Sequence, residues 1–144
     1  KANIPAGNAN AFHLMLRRFA WTMQGQYQTK HLSKKGLLDA KAEIQKGLAI
    51  IEEAAPTSYD ADIIIEELKQ ASDLALFSIH LGLARLETSD KSTQRISRAK
   101  KDELIKELGP IIENHKALWT YRNRIGGLKD SAEKLEDILD YLKK

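Results

Sequence analysis

The chain has 144 residues, 42% of them apolar and 30% charged, with 23 Lys and Arg against 20 Asp and Glu. That size supports one domain with its own core, and a net charge of +3 is too small and too dispersed to signal nucleic acid by itself. The lack of cysteine excludes disulfides, thiolate metal sites and thiol nucleophiles, and no apolar run is long enough to span a bilayer or reads as a signal peptide.

Apolar spacing of three and four dominates from Phe12 onward, so the sequence predicts an all-α bundle of about five helices. A first helix, roughly 9–29, aligns Phe12, Met15, Leu16, Phe19, Met23 and Tyr27 on one stripe and puts Leu14 and Trp21 on the other side, giving it two faces to bury. A second, about 37–54, carries Leu37, Leu38, Ala42, Ile44, Leu48 and Ile51 and stops before Pro56. A third, about 60–87, opens at Asp60 as a cap. It is apolar on most sides, as a helix surrounded by others would be.

The polar stretch 88–97 is expected to be a flexible loop. In the fourth helix, about 97–122, the stripe Leu104, Leu108, Ile111, Ile112, His115, Leu118, Trp119 keeps its phase across Gly109-Pro110. One kinked helix accounts for that better than two. Gly126 and Gly127 then permit a tight turn, and Asp130 with Glu133 reads as the cap of a last amphipathic helix, about 131–143.

Most candidate chemistry has a plainer reading. The histidines His13, His31, His80 and His115 show no metal-ligand spacing and no Glu-x-x-His, so no metal site or cofactor is expected, and His80 and His115 read as hydrogen-bonded core residues. The basic run Lys91, Arg95, Arg98, Lys100, Lys101 lacks interleaved aromatics and reads as a solvated helix start. Asp102-Glu103, between lysines in the first turns of a helix, suits the dipole and carries no catalytic signal.

What stands apart is "LWTYRNRIGGLKDS". Trp119 and Arg122 continue the core stripe, so the Arg122 guanidinium runs along the inner edge of the bundle and needs a carboxylate or carbonyl partner. One reading is a structural corner, with Arg122 and Arg124 on helix-end carbonyls or on an acid such as Asp130, Asn123 tying the turn, and at least one glycine at positive φ. The other is that Arg122, Asn123 or Arg124 faces a partner domain or ligand.

The order Trp119-x-x-Arg122-Asn123-Arg124-x-Gly126-Gly127-Leu128-x-Asp130-Ser131 resembles the C-terminal helical domain of bacterial glycoside hydrolase family 20, the exo-β-N-acetylhexosaminidases. The long helix with "EELKQASDLALFSIHLGLARL" looks like that domain's central helix, and together these cover about half of the chain. In that family a (β/α)₈ barrel precedes the helical domain and carries an adjacent Asp-Glu pair, the Glu as general acid, the Asp orienting the substrate's 2-acetamido group for substrate-assisted attack. The resemblance implies an accessory, non-catalytic C-terminal domain that packs on the barrel of the same polypeptide and supports a homodimer, in a bacterial cytoplasmic setting rather than a secreted one, with no nucleic acid or membrane partner. The start at Lys1, without Met, fits a C-terminal fragment, and the barrel would cover Leu14 and Trp21. The alternative is a free-standing helical protein–protein interaction module unrelated to carbohydrate. No residue of this chain is expected to be catalytic.

Overall fold

The computed structural model describes Leu16 and residues 32–144 of the chain. The rest of the expected first helix, with Leu14 and Trp21, lies outside the described residues. Within them the protein is all-helical, and four helices appear where the sequence suggested five for the whole chain: α1 (Lys34–Glu53), α2 (Ala61–Leu86), α3 (Arg98–Arg122) and α4 (Leu128–Lys143).

Local chemistry sets these boundaries. The Ser33 side chain accepts the Gly36 N–H at 3.1 Å, so α1 begins three residues before the first residue of its apolar stripe. Ser97 caps α3 in the same way, accepting from the Lys100 N–H. Asp60 occupies the cap position of α2, but its side chain makes no cap bond, which corrects the sequence reading. α4 also differs from expectation: it starts at Leu128, with Gly127 at its cap in the left-handed region, which leaves Asp130 inside the first turn.

α3 runs unbroken through Pro110. Proline removes the donor for the Lys106 carbonyl, yet Leu108, Ile111 and Ile112 stay buried on one face, and that burial holds the helix together across the gap.

Ion pairs and hydrogen bonds show the helices antiparallel in sequence. Lys34 meets Glu87, Gln70 bonds the Ile111 carbonyl, and Arg98 reaches the Lys143 carbonyl. α2 serves two cores. Phe77, Leu81 and Ala84 join Leu104, Leu108, Ile112, Leu135, Ile138 and Leu142 in the larger one, with Leu16 and Leu74 against it. Ile79 faces the other way and packs with Leu37, flanked by Ile44 and Leu83. Every helix that packs on both sides must be apolar on both sides, which is why the α2 sequence has so little polar surface in its second half.

The connection from α2 to α3 is a hydrogen-bonded turn with a short 3₁₀ segment, Thr93–Arg95. Asp90 accepts from the Ser92 N–H and from Arg95, the Thr88 hydroxyl donates to the Arg85 carbonyl, and Ile96 is buried. Arg85, itself buried, donates to the Lys91 carbonyl, and Lys91 is at φ +55°. Burial pushes the Arg85 guanidinium down, and the Ser92 hydrogen bond pulls the Asp90 carboxyl down. The polar residues of this stretch, expected from composition to be a flexible loop, make hydrogen bonds within the connection.

Candidate functional site

The corner between α3 and α4 is built from the motif outward. The Asn123 N–H closes the last turn on the Trp119 carbonyl at 2.8 Å, and Asn123 itself is extended. The chain reverses at Gly126-Gly127, and Gly127, at φ +92°, passes beneath the Trp119 ring: a Cβ there would lie 3.3 Å from the indole. The Trp119 Nε1–H donates to the Arg124 carbonyl at 3.2 Å. One turn back, the His115 ring sits 6.1 Å from Trp119, and its Nε2 pairs with the Ser131 hydroxyl of α4 at 2.9 Å. Burial keeps the His115 imidazole below its ordinary value. Lys116 ties the same two helices together through Glu136, at 2.8 Å.

Arg122 finds its acid on α2, not at Asp130. Its Nε and Nη2 donate to the two Glu67 oxygens at 2.9 and 3.2 Å, with Asp60 at 3.7 Å. Donating these hydrogen bonds to Glu67 pushes the Arg122 guanidinium's pKa up. The pair is a clamp on the surface, since the side chains keep 36% and 39% of their exposure. The expected carboxylate partner is present, on α2 rather than at Asp130: the stripe points Arg122 toward α2, at the end of the bundle, where water reaches it.

Asn123 and Arg124 differ from their neighbours. Both are exposed, and neither side chain has a polar partner among the described residues. Tyr121 and Ile125 stand beside them, 72% and 80% exposed. The motif thus divides: Trp119, Arg122 and Gly127 build the corner, while Tyr121, Asn123, Arg124 and Ile125 face outward.

The remaining candidates are accounted for by local pairing. Arg95 pairs with Asp90, Arg98 with Asp102, and Lys100 with Glu103, so the basic run and the Asp102-Glu103 pair neutralise one another. Lys101, in contrast, is buried. Among the described residues no three His, Asp or Glu side chains converge on a metal position.

His80, read from the sequence as a hydrogen-bonded core residue, is half-buried and has a partner that the sequence did not name. The His80 Nδ1 sits 2.8 and 3.0 Å from the two Glu107 oxygens, in a cleft of about 450 Å³ walled by Lys41, Glu87, Lys100 and Glu103 with Leu83, Ala84 and Leu104. Burial, and then the Glu107 and Glu66 carboxylates, push the neighbouring Asp73 up. The His80 Nε2 is buried without a hydrogen-bond partner among the described residues. A carboxylate-oriented imidazole is half of a catalytic arrangement, but no Ser or Thr hydroxyl lines this cleft among the described residues, and Nε2 is turned away from solvent. The pair links α2 to α3. Glu67 and Glu107 were missed for the same reason: each lies tens of residues from its partner, and only the antiparallel packing of α2 and α3 brings them together.

Fold and corner define an all-helical bundle whose distinctive residues are structural on one side and exposed on the other. No family model matches the chain, and neither a curated protein nor a solved structure matches it.

Proposed function

We propose that the chain is a non-catalytic accessory domain of a β-N-acetylhexosaminidase, packing on the catalytic barrel of the same polypeptide and helping the enzyme assemble. The observation that carries this reading is the residue order from Trp119 to Ser131, which resembles the C-terminal helical domain of glycoside hydrolase family 20. Two features support it. The corner is rigidly braced, by Trp119 on Gly127 and Arg122 on Glu67, yet it leaves the side chains of Asn123 and Arg124 without a polar partner among the described residues. Acids of the chain that might be mistaken for catalytic ones, Asp102 and Glu103, are held in ion pairs with Arg98 and Lys100 on the surface of α3.

The test is a pair of assays on the parent enzyme. Asn123→Ala and Arg124→Ala are expected to leave the melting temperature of this domain unchanged while lowering turnover of a chromogenic N-acetylglucosaminide or weakening assembly. If turnover and assembly both stay at the wild-type level, the outward side of the motif has no such role.

A further inference from the structure

Six of the seven large apolar side chains exposed among the described residues lie at one end of the bundle or within two helical turns of it: Ile50, Tyr59, Ile64, Leu68, Tyr121 and Ile125. This is the end where α1 finishes, α2 begins, and α3 turns into α4. The opposite end, at the connection 88–97, is closed by the Asp90 and Thr88 hydrogen bonds. Apolar exposure confined to one end marks a surface that is covered in use.

Charge at this end is divided. Because α1 flanks α2 and α4 flanks α3, the residues fall on two sides of a centre formed by the Arg122 clamp with Glu67 and Asp60. On the α1–α2 side stand Glu52, Glu53 and Asp62, exposed and without ion partners among the described residues. On the α3–α4 side stand Arg124, Lys129 and Lys134, equally exposed and without ion partners among the described residues, with the exposed acids Asp130 and Glu133 between them, so this side keeps a small positive excess. Asp130 sits beside Lys129, at the positive end of the α4 dipole.

We propose that this end is a self-association face, and that its occupant is a second copy of the chain. A two-fold axis through the Arg122 clamp sets the acidic side of each copy against the basic side of the other, twice over, as an isologous interface requires. It also lays Tyr121 and Ile125 of one copy over the apolar residues of its mate. Tyrosine, isoleucine and arginine at the centre, with charges outside, is the composition of a specific contact. This inference does not rest on the glycosidase reading.

Sedimentation velocity on the chain over a range of concentrations tests it. The expected result is a monomer–dimer equilibrium that weakens with added salt, because the flanking pairs are exposed to screening. Reversing one side with Arg124→Glu and Lys129→Glu should raise the dimer Kd by about tenfold or more. Reversing the other with Glu52→Lys, Glu53→Lys and Asp62→Lys should do the same, with melting temperatures near wild type in both. Mixing the two variants should restore a dimer, since both sets of opposite charges are then matched again. A chain that stays monomeric at every concentration overturns the proposal; a different occupant, such as a neighbouring domain, would give that result. A dimer indifferent to the reversals, or variants that fail to pair on mixing, overturns it as well.

Discussion

The two adjacent glycines of the corner illustrate how far a single residue's role depends on backbone conformation. Gly127 is at φ +92° with the Trp119 ring 3.3 Å from where a Cβ would go, whereas Gly126 has an ordinary φ and open space around it. Gly127→Ala should therefore cost about 1–2 kcal/mol, from left-handed strain and from displacing the indole. Gly126→Ala should be neutral or should stabilise by up to about 1 kcal/mol, because it only restricts the unfolded chain. Thermal melts of the two variants check this, and equal losses would refute the distinction. His115 gives a pH dependence whose sign is fixed by burial. Its folded value is depressed, so the unfolded chain takes up the proton first. The stability it contributes is complete above the ordinary histidine value of about 6.5, and is lost as pH falls through the lower folded value. Between pH 7 and pH 5 the melting temperature should fall, and His115→Gln should flatten that fall. An unchanged slope in the variant would mean that other groups carry it.

At the scale of elements, α2 and α3 are joined by polar contacts as well as by the core. The buried Gln70 amide donates to the Ile111 carbonyl at 2.9 Å, and its oxygen accepts from Asn114 at 2.9 Å. This staple sits beside Pro110, where the helix has lost a hydrogen bond of its own. Gln70→Leu should leave the Asn114 amide unpaired and cost about 1–3 kcal/mol, with strong non-additivity when combined with Asn114→Leu. Additive losses in denaturant titrations would show that the two amides act separately. Periodicity revealed these helices well: α2 at Ala61–Leu86 and α3 through Pro110 follow from apolar spacing alone. It could not reveal Gln70–Asn114, Arg122–Glu67 or His80–Glu107, since each joins side chains on different helices, and helical phase gives direction but not the register between helices. The start of α4 was placed late because Asp130 and Glu133 imitate a cap, while the real start depends on a glycine conformation that composition only permits.

For the whole molecule, the described residues form a bundle with one closed end and one open end. The closed end uses its polar residues on itself, through Asp90, Thr88 and Arg85. The open end keeps Tyr59, Tyr121, Ile125 and Arg124 at the surface. The side chains of Tyr121, Asn123, Arg124 and Ile125 stay exposed there, on the outer side of the corner. The accessory role proposed for the chain rests on the resemblance centred on Trp119 to Ser131. The most direct measurement of that claim is to determine the reading frame upstream of Lys1. The account predicts that it encodes a (β/α)₈ barrel with an adjacent Asp-Glu pair, continuous with this chain. An initiation codon close to Lys1, with no barrel before it, would contradict the account and leave a free-standing helical module in its place.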